Sequence, residues 1–181
     1  MKQAVIFLAT GFEEIEAVGT VDLLHRGGIH TTIVSVTGLH AVTGAHGITV
    51  NADALFDEAL YNNVHALILP GGMPGSSNLN AFEPLRKLLL EHYAAGNLVA
   101  AVCAAPLVLG GLGIVSGRKA TCYPGFEQYL TGAVQTGEAA VTDGNVITGK
   151  GPGLVFDFAL AIISYLQGKD ASGRVAEGLL L

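Results

Sequence analysis

Leu98-Val99-Ala100-Ala101-Val102-Cys103-Ala104-Ala105-Pro106-Leu107-Val108-Leu109 is the stretch on which the fold turns. Its first five residues form an apolar, strand-like run, and Leu107 to Leu109 read as helix. A strand that feeds directly into a helix forces a sharp turn. The residue at that turn projects from the C-terminal edge of the sheet. The nucleophile elbow of α/β-hydrolases has the same geometry, with small neighbours that let the backbone bend. Here the neighbours are Ala101, Ala104 and Ala105. A helix start offers free N–H groups and partial positive charge. Both favour a thiolate, the reactive form of cysteine. A cysteine in an apolar run is also commonly an inert buried hydrophobe, and this stretch alone leaves both readings open.

Outward from the elbow, strand-like and helix-like segments alternate. Val5 to Leu8 is an apolar run of strand length, followed by a loop at Thr10-Gly11-Phe12. Glu13 to Arg26 is helical, with Ile15, Val18, Val21 and Leu24 at three-residue steps. Gly27-Gly28 ends it. Thr31 to Val36 reads as a strand, and Val42 to Val50 as a small hairpin around His46. Ala66 to Leu69 is a buried strand closed by Pro70-Gly71-Gly72. Phe82 to Ala95 is helical, with Leu85, Leu88, Leu89 and Tyr93 on one face. Ala139 to Thr142 and Asn145 to Thr148 flank Asp143-Gly144, a dipeptide suited to the positive φ angles of a type I′ turn. Gly153 to Leu166 is an apolar helix, and Gln167 to Leu181 a loop and terminal helix. The alternation predicts an α/β fold with a mostly parallel sheet and helices on both faces. One domain over residues 1–181 is expected, without repeats or linkers. Such folds place their sites beyond the C-terminal strand ends. Ala9 to Glu16, Pro70 to Gly75 and Cys103 with its helix all fall there.

Composition narrows the function. Of 181 residues, half are apolar and 13% charged, which argues against disorder. The net charge of −6 and the absence of a Lys/Arg cluster argue against nucleic acid or an anionic membrane as partner. Two cysteines are no disulfide framework, and a free reactive thiol fits a reducing cytoplasm. The N-terminus reads as a first strand, not a signal peptide. Leu98 to Val115 has the length and lack of charge of a membrane helix, but Pro106 and glycines 110, 111 and 113 break it up. Gly111-Leu112-Gly113 is no dinucleotide fingerprint, and no Gly-Lys-Ser/Thr follows Gly71-Gly72.

Three segments converge on Cys103. The N–H groups of Gly72 and Ala104 could form an oxyanion hole, although an ordinary strand-to-loop turn also explains the glycines. Glu13 and Glu14 read as first-turn acids complementing the helix dipole. Glu16 lies beside Ile15 and Val18 and is placed on or near the buried side. A carboxyl in an apolar cleft has a raised pKa, so Glu16 could donate a hydrogen bond to a thiolate or shuttle a proton. Cys122 is either a resolving thiol for an oxidised Cys103 or a small buried hydrophobe. The histidines at 25, 30, 40, 65 and 92 show no metal-ligand spacing, and no metal is expected.

Gly11-Phe12-Glu13-Glu14-Ile15-Glu16-Ala17, Leu69-Pro70-Gly71-Gly72, Ala100-Ala101-Val102-Cys103-Ala104-Ala105-Pro106 and Gly151-Pro152-Gly153 occur in order along the chain. Together they resemble the ThiJ/PfpI superfamily, most of all its DJ-one branch. The resemblance implies a flavodoxin-like three-layer sandwich with small β-hairpins, usually a homodimer. It implies Cys103 as the reactive cysteine, Glu16 as its hydrogen-bonding partner and Gly72 and Ala104 as backbone donors. Gly71 and Tyr123 fall at the substrate side, and Gly151 and Pro152 in a loop packed nearby. Family activities include glutathione-independent glyoxalase, deglycase of early glycation adducts and oxidation-responsive chaperone. The expected function is thus cofactor-free detoxification of small carbonyl compounds or glycated adducts. The alternatives are a redox sensor or chaperone in which Cys103 becomes a sulfinic acid, and more weakly a small-molecule amidohydrolase. Two departures stand out. Tyr123 replaces a histidine of many branch members, and His46 an arginine. Ala104 stands where the protease-like branch has histidine, which removes the base a peptidase would need.

Overall fold

The computed structural model describes residues 1–56 and 61–181. The elements run β1 (Gln3–Leu8), α1 (Glu14–Arg26), β2 (His30–Ser35), β3 (Ala41–Thr43), β4 (Thr49–Asn51), β5 (Ala54–Leu55), β6 (Ala66–Leu69), α2 (Gly75–Ala81), α3 (Glu83–Ala94), β7 (Leu98–Val102), α4 (Pro106–Gly111), β8 (Lys119–Ala120), β9 (Val134–Gln135), β10 (Ala140–Asp143), β11 (Val146–Gly149), α5 (Val155–Gln167) and α6 (Lys169–Gly178). The main sheet has the order β10-β11-β7-β6-β1-β2-β5. Its pairings are parallel except for the edge pair β10–β11. This is the mostly parallel sheet covered on both faces that the alternation predicts, and the flavodoxin-like three-layer sandwich that the family resemblance implies. No helix among the described residues is long and apolar enough to cross a membrane.

Period-two alternation divides the core. Ala4, Ile6 and Leu8 of β1 join Ala100 and Val102 of β7 in one cluster, with Leu23 and Leu24 of α1 and Phe158 and Ile162 of α5. Val5, Phe7, Val99 and Ala101 face the other way, against Leu79, Leu85, Leu89 and Val108 of α2, α3 and α4. Strands buried on both faces need continuous apolar sequence, which is why β6 and β7 read as unbroken runs. Full burial of side chains such as Phe7 and Phe158 stabilises by about 1.5–3 kcal/mol each.

Several elements depart from the sequence reading. The buried side of α1 is formed by Glu14, Glu16, Ala17, Thr20, Leu23 and Leu24, while Ile15 and Val18 are exposed. At 3.6 residues per turn, strict three-residue steps drift by about 60° each. The row from Ile15 to Leu24 therefore winds from the outer face to the core. Residues 75–81 form the short helix α2, and β8 pairs with β9; neither was expected. In the β10–β11 hairpin Asp143 pairs with Val146, so the loop is Gly144-Asn145. Only Gly144 of these two has a positive φ, +59°. One positive φ at the first central position is the type II′ requirement, not the type I′ turn expected from Asp-Gly.

The chain leaves β1 toward β2 and later returns to β6 on β1's other side. The crevice between β1 and β6 is thus a topological switch point, the favoured ligand site of open α/β sheets. The two loops there are stitched together. Glu13 N–H donates to Gly71 C=O at 2.9 Å, and Gly75 N–H to Gly11 C=O at 3.1 Å.

Candidate active site

The parallel register pairs Leu69 of β6 with Ala101 of β7, so Gly71 and Cys103 emerge side by side. Cys103 has φ +64°, one of two non-glycine residues with positive φ among those described. A left-handed conformation costs an L-residue about 1–2 kcal/mol, and such strain collects where geometry serves function. Neighbours hold the strained backbone in place. Cys103 N–H donates to Gly149 C=O at 2.9 Å, and Cys103 C=O accepts from Tyr123 N–H at 2.8 Å. Ala101, Ala104 and Ala105 are buried, where larger side chains would obstruct the bend.

Glu16 is fully buried. Its Oε2 accepts the Gly71 N–H at 2.8 Å. The carboxyl is also electrostatically coupled to the adjacent Cys103 thiol, and its buried Oε1 has no hydrogen-bond partner among the described residues. Burial pushes the Glu16 carboxyl up to about 7, against the lowering effect of the Cys103 and Gly71 hydrogen bonds. Burial and the adjacent Glu16 charge push the Cys103 thiol up to about 12, although the Gly72 and Ala104 N–H groups pull the other way. The backbone donors favour the thiolate as expected, but burial and the neighbouring carboxyl outweigh them. The two groups titrate as a pair. They hold two protons in acid and one through neutral pH, because two adjacent buried negative charges repel. With the carboxyl near 7 and the thiol near 12, the singly protonated pair is chiefly thiol with carboxylate; the Gly72 and Ala104 N–H groups stabilise the minor form, thiolate with carboxylic acid, whose population rises with the same midpoint.

Gly71 is a close-approach glycine. A Cβ there would sit 2.6 Å from both Cys103 Cβ and Glu16 Oε2. Its N–H donates to Glu16 and so holds that carboxyl in place. Gly72 has φ +88°, which turns its N–H toward the sulfur. The two backbone donors in the resting site therefore address sulfur.

Tyr123 is half exposed, its backbone tied to Cys103 and its ring against Gly151. Pro152 opens a 3-10 turn after β11. The structure thus brings Tyr123 and Gly151 to the elbow's rim. It does not bring His46 to Cys103. The His46 ring is largely exposed and reaches Glu14 Oε2 through Nδ1 at 2.8 Å. Glu14 is the residue sequence reasoning missed. Beyond being a first-turn acid, it accepts His46 N–H at 2.8 Å and Ile48 N–H at 3.3 Å, clamping the β3–β4 hairpin to α1. Glu13 caps the helix by accepting Glu16 N–H at 2.7 Å. Glu13, Glu14 and His46 place ligand-type atoms within 4.8 Å of one another, a grouping hidden from sequence by the 32-residue separation of Glu14 and His46; Glu14's oxygens are taken by the hairpin.

Cys122 is buried and belongs to the core cluster on the opposite face from that of Cys103. Both thiols are free. Burial, reinforced by Glu127, pushes Cys122 up to about 11. The packed small hydrophobe is the form that the structure favours over a resolving thiol.

An elbow cysteine, a buried carboxyl on it and two backbone donors mark a reactive centre, and comparison places it. The sequence pattern of the DJ-1/PfpI family matches residues 2–165. The chain belongs to the DJ-1/PfpI family. It is 35% identical to protein dj-1beta of Drosophila melanogaster, covering 99% of this chain and 97% of the relative. It is 36% identical to Protein DJ-1 homolog B of Arabidopsis thaliana, but spans only 42% of that protein's length. A glutathione-independent glyoxalase of Caenorhabditis elegans is 33% identical over 93% of this chain and 90% of its own. Among solved structures, a cysteine-to-alanine mutant of a DJ-1 superfamily protein from Salmonella typhimurium superposes with a TM-score of 0.94 at 36% identity, covering 99% and 98% of the two chains. Oxidized DJ-1 of Toxoplasma gondii gives 0.95 at 31% identity, with the same coverage.

Proposed function

We propose that this protein is a stress-protective, cofactor-free enzyme that converts small reactive carbonyls, methylglyoxal type, to hydroxy acids without glutathione. The observation that carries this is the Cys103–Glu16 pair. It puts a nucleophile and a proton carrier with a value near 7 in one contact, where general acid–base work at neutral pH is most effective. The Cys103 thiolate adds to the aldehyde carbon, forming an S–C bond as the C=O π bond opens, and the proton held by Glu16 passes to the oxygen, giving a hemithioacetal and leaving Glu16 a carboxylate. As sulfur loses its charge, the Gly72 and Ala104 N–H groups become free to hold that oxygen. The Glu16 carboxylate removes the proton on the former aldehyde carbon and passes it to the ketone oxygen, giving an enediol; the hydroxyl on the sulfur-bearing carbon then gives up its proton as the neighbouring carbon takes one. The product is a hydroxy-acyl thioester. Water hydrolyses it, releasing lactate and the thiol. Overall, methylglyoxal and one water give lactate.

Early glycation adducts on amines fit the same chemistry, with the amine as leaving group. Residues 1–181 act as one domain. Ile15 and Val18 on α1 and Ile48 on the hairpin, all at least half exposed, supply apolar surface for a second copy. The test is lactate formation from methylglyoxal without glutathione, by wild type and Cys103→Ser. Lactate from wild type alone supports the reading; equal lactate from both removes it. One observation favours a second reading, an oxidation sensor: DJ-1 of Toxoplasma gondii, a structural relative, has been solved in an oxidized form. Stable addition of two oxygens to Cys103 after mild peroxide, without carbonyl turnover by the reduced protein, would favour it.

A further inference from the structure

Beside the elbow runs a groove of about 380 Å³ between α2, α4 and the turn at 127–129. This is the low end of the range for small-molecule sites. Three links tie its walls to residues flanking the reactive cysteine. Met73 follows Gly72 directly. Leu107 N–H donates to Ala104 C=O at 3.1 Å, and Phe126 N–H to Tyr123 C=O at 3.1 Å. Its walls carry Met73, Leu107, Phe126 and Tyr129, with uncharged polar groups such as Ser77 and Thr131 along the rim, and no charged side chain among the described residues lines it. The Phe126 and Tyr129 rings are tilted against each other at 5.9 Å. Met73 and Tyr129 are about half exposed, so their apolar surface is uncovered. Gly110 lets this wall form, because a Cβ there would collide with the Tyr129 carbonyl.

We propose that this groove binds the neutral, aromatic substituent of a carbonyl whose reactive carbon lies at Cys103. The inference rests on the carbonyl reading of the site and adds the substrate class: aryl-substituted over very small or anionic carbonyls. The ring packs between the aromatic wall and the Met73 thioether, contacts that are individually favourable. A carboxylate or phosphate substituent would find no free cation among the described residues there, because the neighbouring Arg86 guanidinium is already engaged by Asn80 Oδ1 at 2.7 Å and Glu83 Oε1 at 3.2 Å, and it would lose its water.

The test does not depend on turnover. Alkylation of Cys103 by iodoacetamide and by its N-phenyl analogue is followed by peptide mass, and the rate ratio is divided by that for free N-acetylcysteine. The expected ratio is about tenfold in wild type, near one in Ser77→Phe, which fills the rim, and severalfold lower in Met73→Ala. The unreactive parent acetanilide gives a second readout. It should shift the Gly110 and Gly111 amide resonances in wild type and not in Ser77→Phe. A wild-type ratio near one without amide shifts overturns the proposal. So does a raised ratio that neither variant changes. Methylglyoxal turnover in the same samples separates the claims: lactate with a flat ratio removes only the groove, and a variant-sensitive ratio without lactate removes only the carbonyl chemistry.

Discussion

Glu14 and Glu16 stand two residues apart in the first turn of α1, and both are buried, yet they are driven in opposite directions. For Glu14, burial raises the value, but the His46 ring and the N–H groups of His46 and Ile48 outweigh it and hold the carboxyl below its usual 4.5. For Glu16, the Gly71 N–H and the Cys103 thiol are too few to offset burial, and the carboxyl is carried to about 7. Burial alone does not set a carboxyl's charge; the number of donors that meet it does. The hairpin side of the turn holds a fixed anion. The elbow side holds a carboxyl that exchanges its proton near neutrality.

The largest expected effect breaks the elbow side outright. Cys103→Ser should lower methylglyoxal turnover at least about 10⁴-fold, measured as lactate release. Glu16→Gln should lower it on the order of 10²–10⁴-fold. The same variant sharpens the charge contrast. In the unfolded chain Glu16 loses its proton near 4.5, and in the folded protein near 7, so the folded state binds more protons between these values. Wild-type stability should therefore fall across that window, while Glu16→Gln stays flatter, as denaturant titrations at pH 4.5 and 7.5 would show. Gly71→Ala pushes a methyl into Cys103 and Glu16. It should destabilise by about 1–3 kcal/mol and depress turnover with Cys103 and Glu16 both present.

On the hairpin side, Glu14→Ala leaves the His46 and Ile48 N–H groups without their acceptor. A loss of about 2 kcal/mol is expected, with lactate formation falling less than in Glu16→Gln. The smallest effect belongs to His46→Ala. Glu14 is held below 4.5 and His46 above 6.5. Their contact is complete between those values, is lost in acid as Glu14 protonates, and is lost at higher pH as His46 deprotonates. His46→Ala should remove the high-pH part of that dependence, a shallow change at an exposed site.

Much of the fold was legible because strands buried on both faces leave unbroken apolar runs, as in Ala66–Leu69 and Leu98–Val102. The elbow was legible because Ala101, Ala104 and Ala105 bracket Cys103. Glu16 was assigned to the buried side from its nearness to Ile15 and Val18, residues that prove exposed. The placement held because the core lies on the face of Ala17 and Thr20, not for the reason the spacing suggested. Glu14's role was hidden, since its donors lie more than 30 residues away and are mostly backbone N–H groups, which any sequence supplies. The direction of the Cys103 shift was hidden too. Local sequence shows the helix start that lowers a thiol, but not the burial and neighbouring carboxyl that raise it. The short pair β8–β9 and helix α2 carry too few apolar residues to leave a periodic signal.

The most direct measurement of the shared proton is the pH dependence of Cys103 alkylation by iodoacetamide, in wild type and Glu16→Gln, from pH 5 to 9. A rate that rises with a midpoint near 7 in wild type, and loses that midpoint in Glu16→Gln, is the expected result. The same midpoint in both proteins would show that Cys103 titrates on its own and that Glu16 carries no proton for it.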